Sequence, residues 1–322
     1  MLKPEILVRK ESSTDDRFGT YPEKRSVEQL LQYGIVNINK PRGPTSHEIS
    51  AYVQRILGIA KSGHSGTLDP NVTGVLPVAL GKATRIVQVL LPAGKEYVGV
   101  MHIHDEVEEQ RLRKVLLGFV GEITQLPPVK SAVKRQERKR KIYYLDVLEI
   151  QGQDVLFRVG CQAGTYIRKL CHDIGKKLGT GAHMSELVRT RAGPFDESTM
   201  VTLQDLADAF HYYRHEHNEK YLRHVIKPIE YTVQHMPLVW IFDSAVEPLC
   251  HGMDLMLPGI SRLTNDINAD DRVAVLTLKS ELVALGTARL NSEGMMGDKG
   301  VAVKIHKVFM EPRTYPGKPA RN

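Results

Sequence analysis

Ser62-Gly63-His64-Ser65-Gly66-Thr67-Leu68-Asp69-Pro70, running on through Gly74-Val75-Leu76-Pro77, is the most informative stretch of the chain. Its glycines and prolines interrupt any regular pattern, so residues 61–77 read as a loop. A loop of this length inside a compact domain is more often functional than not. Asp69 stands between apolar Leu68 and Pro70. A carboxylate so placed is either a turn former or a group held for chemistry, and spacing alone leaves both open.

Upstream, Gly34-Ile35-Val36-Asn37-Ile38-Asn39 alternates apolar and polar residues as a half-buried strand does. Lys40-Pro41-Arg42-Gly43-Pro44 breaks it. Thr45 and Glu48 have capping-box spacing, and Ile49, Tyr52, Val53 and Ile56 recur at helical intervals, so a helix is predicted over 46–57. Downstream, residues 95–104 read as a strand. Leu112, Val115, Leu116 and Phe119 mark a second amphipathic helix, and Val155, Phe157, Val159 and Cys161 alternate as a strand. After Gly164-Thr165, a helix opens with Ile167, Leu170, Cys171 and Ile174 on one face and stops at Gly179. Arg168 lies at its start, off the apolar stripe. Helical character returns over 203–223.

Strands and helices mixed without a regular βαβ repeat indicate an α+β domain. Lys227-Pro228 begins a boundary, and beyond Pro237 the pattern turns to short strands. Residues 272–276 and 282–286 form a predicted hairpin around Lys279-Ser280, and Val301, Val303 and Ile305 alternate with polar neighbours. Such a segment suits a small β-barrel. The expected division is an N-terminal arm over 1–27, a main domain over 28–230, a β-domain over 235–312 and a short tail over 313–322.

The chain has 322 residues, 42% of them hydrophobic, enough for one large domain and one small one. Lys+Arg number 44 against 37 Asp+Glu, a net charge of +7 that suits a polyanionic partner. Cys161, Cys171 and Cys250 are too few and too scattered for a disulfide framework, and buried thiols are the plain reading. Cys171-His172 and His183 lack a companion CxxC pair, so no metal site is expected. Neither a signal peptide nor a membrane span is visible, which points to a soluble, cytoplasmic protein with no membrane role.

The run Gly63–Arg85, GHSGTLDPNVTGVLPVALGKATR, resembles the signature of the TruB/dyskerin family of RNA pseudouridine synthases. Further segments agree in order: Gly34–Pro41 with Gly43 and Ser46, Lys95-Glu96-Tyr97, Gly164-Thr165-Tyr166-Ile167-Arg168, and Leu187-Val188-Arg189-Thr190-Arg191. Residues from about 235 to 311 resemble a PUA RNA-binding domain, and the archaeal branch of dyskerin-like proteins is the most similar. The resemblance implies a catalytic domain with a mixed or antiparallel sheet flanked by helices. It implies isomerisation of uridine without cofactor or metal, with Asp69, Tyr97 and Arg168 as catalytic residues. Asp69 would act at C1′ of the sugar, and Arg168 would hold it ionised and oriented. Tyr97 would stack on the extruded base or assist proton removal. His64, Leu187 and Tyr166 would line the base pocket.

Lys134–Lys141 holds six basic residues among eight and aligns with the family's RNA-gripping loop. Arg135, Arg138, Lys139 and Arg140, together with Lys40, are the expected RNA contacts. The family implies a guide RNA and a substrate RNA as partners. It also implies H/ACA accessory proteins: a zinc-ribbon-like peptide, a β-barrel protein and a kink-turn-binding protein. Ribosomal RNA is the implied substrate of such a particle. A stand-alone synthase for the tRNA T-loop and a non-catalytic RNA scaffold are the competing readings.

Overall fold

Residues 4–127 and 136–317 are described by the computed structural model. Residues 35–226 form one unit, and residues 1–34 with 227–322 form a second, smaller one. Strand β1 (Ile6–Val8) and helix α1 (Val27–Tyr33) belong to the smaller unit.

The larger unit begins with β2 (Gly34–Lys40) and α2 (Ser46–Leu57), whose N-terminus is closed by the reciprocal Thr45–Glu48 capping box. There follow β3 (Ser62–His64), β4 (Thr73–Leu80), α3 (Val87–Leu90), β5 (Lys95–Ile103), α4 (Glu109–Leu117), β6 (Gly121–Gln125), β7 (Arg138–Gln151) and β8 (Asp154–Cys161). Then come α5 (Ile167–Leu178), β9 (Ala182–Ala192), β10 (Phe195–Asp196), α6 (Leu203–Glu216) and α7 (Lys220–Val225), with β11 (Ile226–Pro228) falling at the boundary between the units. The sheet order runs β2-β4-β9-β5-β8-β7-β6, with β3 added to β4 and β10 to β9. The β4–β9 contact is parallel, while β2–β4, β5–β8, β5–β9, β6–β7 and β7–β8 are antiparallel. This is the expected α+β arrangement, a mixed sheet with helices.

The 61–77 segment departs from its reading as a loop. Thr73–Leu80 is a strand, and all but its first residue is buried. Its near-continuous apolar run leaves no alternation to read, and Gly74 and Pro77 look like breakers. Pro77 sits opposite Asn37, and its carbonyl accepts from Ser65 N. Helix α5 buries Ile167, Leu170, Cys171, Ile174 and Leu178, which share a core with Met101, Phe157 and Leu187. Each large apolar side chain fully buried there contributes about 1.5–3 kcal/mol.

In the smaller unit the remaining elements are β12 (Leu238–Ile241), α8 (Asp243–Cys250), β13 (Leu255–Met256), β14 (Ile260–Thr264), β15 (Arg272–Thr277), β16 (Leu282–Ala288) and β17 (Val301–Val308). Their sheet runs β1-β14-β12-β15-β16-β17-β13. The predicted hairpin is β15–β16, and Ser280 takes φ +66° in its turn. At the other end of the chain, Ile6, Leu7 and Val8 pair antiparallel with Thr264, Leu263 and Arg262. Arg25 holds Glu230 by two hydrogen bonds of 2.8 and 2.7 Å, both side chains buried.

Candidate active site

Asp69 lies between β3 and β4 on a backbone fixed from several sides. The buried Ser46, in the first turn of α2, accepts from Leu68 N at 2.8 Å through Oγ and donates to Leu68 O at 3.3 Å. Val72 N donates to Asp69 O, and Gly43 N to Pro70 O, each at 3.0 Å. Lys40 reaches the same loop from the end of β2. Its Nζ donates to Pro41 O, Pro70 O and Val72 O at 2.9–3.0 Å. A main chain held at this many points sets the direction of the Asp69 side chain before any substrate arrives.

Arg168, the second residue of α5, donates through Nη2 to Asp69 Oδ2. Both side chains are about half-exposed, so the pair is open to a substrate. Buried Gln125 steadies the start of α5, accepting from Tyr166 N at 3.0 Å and donating to Tyr166 O at 3.2 Å.

Tyr97 is buried on β5, directly across the ladder from Arg189 of β9, which hydrogen-bonds to its side chain. Burial pushes the Tyr97 phenol above its ordinary value, and the adjacent guanidinium opposes that rise. Arg189 is itself buried, donating through Nε to Val75 O at 2.7 Å and through Nη2 to Gly66 O at 3.3 Å. Burial lowers its pKa, and Tyr97 pulls the other way. Lys95, also buried, gives Nζ to the carbonyls of Leu90, Leu91 and Ala93 at 2.7–3.3 Å, and burial brings it down to about 8. Leu68, Val72 and Leu187 join Tyr97 in one apolar cluster. The outcome is an ionic pair at the surface, an apolar wall behind it, and three buried cations whose described partners are mainly carbonyls.

Of the residues singled out from sequence, Asp69 and Arg168 meet directly, and Tyr97 and Leu187 line the adjoining core. His64 lies on β3, edge-on to His47 at 4.7 Å between ring centroids. Burial first, and then His47 and Arg189, lower its pKa to about 4. His64 is therefore neutral in the fold at pH 7, whereas unfolded it titrates near 6.5. Between those values the unfolded chain holds a proton that the fold excludes, so stability falls as pH drops from about 6.5 to about 4. The urea midpoint measured against pH should show this stretch of slope, and His64→Asn should flatten it. A variant whose curve runs parallel to the parent's removes His64 from this account.

Lys40 needs correction. It was expected at RNA, but its side chain is fully buried, and its ammonium donates to Pro70 O and Val72 O of the loop carrying Asp69 and to the neighbouring Pro41 O. Arg138, Lys139 and Arg140 lie on β7 and Arg135 falls outside the described residues. The Arg140 guanidinium packs beside Gly164, near the start of α5, and exposed Lys139 pairs with Glu122 at 2.8 Å. Sequence reading passed over Arg189, Lys95 and Gln125 as site residues.

Comparison with known proteins covers nearly the whole chain. Family models described as the TruB family pseudouridylate synthase N-terminal domain and the tRNA pseudouridylate synthase B C-terminal domain match residues 54–167 and 168–234. A PUA domain matches residues 237–309, and a DKCLD domain matches 2–50. A protein named "Probable tRNA pseudouridine synthase B" from Methanopyrus kandleri is 54% identical over 313 residues, 97% of this chain and 93% of its own length. The same name is given to a Thermococcus kodakarensis protein, 55% identical over 98% of this chain and 94% of its own. Among solved structures, a chain in the "Crystal Structure of a Cbf5-Nop10-Gar1 Complex" superposes with a TM-score of 0.91 at 54% identity, covering 98% of this chain and 97% of that one. A chain in the "Structure of H/ACA RNP bound to a substrate RNA containing 2'-deoxyuridine" gives 0.90 at 52% identity, with 98% and 97% coverage.

Proposed function

The chain belongs to the TruB family of pseudouridylate synthases, and on that premise we propose that Asp69, paired with Arg168, is the carboxylate that acts at C1′ of the target uridine. The protein is a pseudouridine synthase and the catalytic subunit of an H/ACA ribonucleoprotein. Its partners are a guide RNA, a substrate RNA, and proteins of the Nop10 and Gar1 kind. The observation that carries the site assignment is the Asp69–Arg168 pair, open to solvent and backed by Tyr97 and Leu187.

The reaction breaks the N1–C1′ bond, turns the base, and rejoins it through C5, whose proton is then lost. An ionised carboxylate at C1′ serves either as nucleophile or as stabiliser of developing positive charge. Arg168, donating to Asp69 Oδ2, keeps the carboxylate aimed. Tyr97 presents a ring against the extruded base, and Arg189, bonded to its phenol, fixes the direction of that hydroxyl. Leu187, with Leu68 and Val72, keeps water from the far side of the base. His64 and Tyr166 are assigned to the pocket rim. Among the described residues no helix is long and apolar enough to cross a membrane, and we place the protein in the cytoplasm.

The deciding experiment is uridine-to-pseudouridine conversion on a short target RNA, with and without an H/ACA guide and accessory proteins, and on a tRNA transcript. Conversion of the short target only with guide and partners is the expected result. The names of the curated relatives favour a second activity on tRNA, which conversion of the transcript by the chain alone would establish.

Salt dependence separates the basic residues. Lys139→Ala with Arg140→Ala should lower the slope of log K against log salt by about 0.7–0.9 for each phosphate no longer neutralised. Lys40→Met should leave that slope unchanged while reducing conversion, because it frees the Asp69 loop and touches no phosphate. A reduced slope in Lys40→Met would restore it to the RNA interface.

A further inference from the structure

Four side chains on the outer face of the larger unit's sheet take no part in the chemistry above. His102 is near the end of β5, with His104 two residues on, and His183 is the second residue of β9. Across the ladder His102 stands directly opposite His183 on one side and Asp154 of β8 on the other. Side chains alternate along a strand, and on β5 the odd-numbered residues from Lys95 to Ile103 are the buried ones. His102 therefore faces away from the side that carries Tyr97, and it lies five residues further along, on the order of 17 Å.

The three imidazoles form a tight triangle. Ring centroids are 5.3 Å apart for His102 and His183, 5.2 Å for His104 and His183, and 6.3 Å for His102 and His104. Rings held at about 2.0–2.1 Å by one tetrahedral ion have centroids roughly 5 Å apart. His104 Nε2 and His183 Nδ1 face each other at 3.0 Å. Asp154 Oδ1 contacts His102 Nδ1 at 2.7 Å. That contact directs the opposite edge of the ring, with Nε2, away from β8 and toward β9. A carboxylate on the remote nitrogen of a histidine is the usual support of a metal ligand, since it fixes the tautomer and raises basicity.

We propose that His102 Nε2, His104 Nε2 and His183 Nδ1 bind a divalent transition cation of the zinc class, with Asp154 orienting His102. His102 near the end of β5, His104 just beyond that end, and His183 on the neighbouring β9 supply three nitrogens. The fourth position opens to solvent and suits a water. As the side chains stand, no group of three or more His, Cys, Asp or Glu among the described residues is placed to hold a metal ion. The closure needed is a turn of His102, about a third exposed, and of two exposed rings, about their broad χ2 wells. Another close histidine pair, His211 and His215 at 4.4 Å, shares its groove with Arg55 and Arg214, which repel a cation.

The test is titration of the full chain, carrying no affinity histidines, with Co²⁺ read by its visible tetrahedral bands, and displacement by Zn²⁺. One ion per chain is expected. Binding should vanish in His102→Ala and His183→Ala, weaken roughly 10–100-fold in Asp154→Asn, and persist in His211→Ala. Circular dichroism checks the fold of each variant, and His183→Gln serves if an alanine variant unfolds. Absence of the cobalt bands in the parent at millimolar metal overturns the proposal. So does undiminished binding in a folded His102→Ala/His183→Gln double variant.

Discussion

Asp69→Asn should abolish pseudouridine formation while leaving RNA affinity within a few-fold of the parent. The amide keeps the shape of the carboxylate and can still accept from Arg168, but it lacks the charge that C1′ requires. A drop of at least ~10³-fold in the single-turnover rate is expected, about 4 kcal/mol of barrier. Binding rests on phosphate contacts elsewhere, so its salt dependence should not move. The loop should keep its conformation too, because Ser46, Lys40 and Gly43 hold its main chain rather than its acid. A variant that still converts uridine removes Asp69 from the chemistry. One that loses RNA binding along with activity shows that the residue is structural.

Gly74→Ala should be among the most damaging single methyl groups in the larger unit. Gly74 has φ +99°, and a Cβ there would meet Arg189 O at 2.3 Å and Arg189 N at 3.0 Å. Those atoms are backbone of β9, where Gly74 is paired in parallel, and they cannot turn aside. Relief requires β4 to move off β9 at the residue whose guanidinium holds Val75 O and Gly66 O. Backbone strain alone costs about 1–3 kcal/mol, and the broken ladder and hydrogen bonds bring the expected total to roughly 3 kcal/mol or more. At about 2–4 °C per kcal/mol for a unit of this size, the melting temperature should fall by about 6–12 °C. Gly58→Ala is the control. Gly58 also has positive φ, but a Cβ there meets nothing within 4 Å, so only about 1 kcal/mol is expected. Equal melting shifts for the two variants would refute the steric account.

Much of the scaffold could be read from residue order because local rules coincide with tertiary ones. The Thr45–Glu48 box, the apolar stripe of α5 and its Gly179 stop, and the β15–β16 hairpin all stand where the patterns put them. β4 escaped because it is buried along nearly its whole length and carries both Gly74 and Pro77. Asp69 and Arg168 were found through motifs, since no periodicity foretells that two exposed ions 99 positions apart will meet. The buried cations were harder. Lys40 follows Val36 and Ile38 at intervals of two, Lys95 precedes Tyr97, and Arg189 follows Leu187. Each thus lies on the buried face of its strand, a signal that was present. Charged residues are so rarely buried without an acid that composition argues the other way. Carbonyl groups stand in for that acid here, and only folded coordinates reveal them.

The pairing of β1 with β14 gives the smaller unit an unusual schedule during synthesis. Its first strand leaves the ribosome some 250 residues ahead of its partner. At about 5–20 residues per second the wait is roughly 10–50 s. During that interval Ile6 and Val8 sit on an unpaired, apolar edge that could join a neighbouring nascent chain. The intervening unit, by contrast, is continuous and can fold while the remainder is still being made. Nascent chains arrested before residue 260 should therefore protect the larger unit from protease while residues 6–8 stay cleavable.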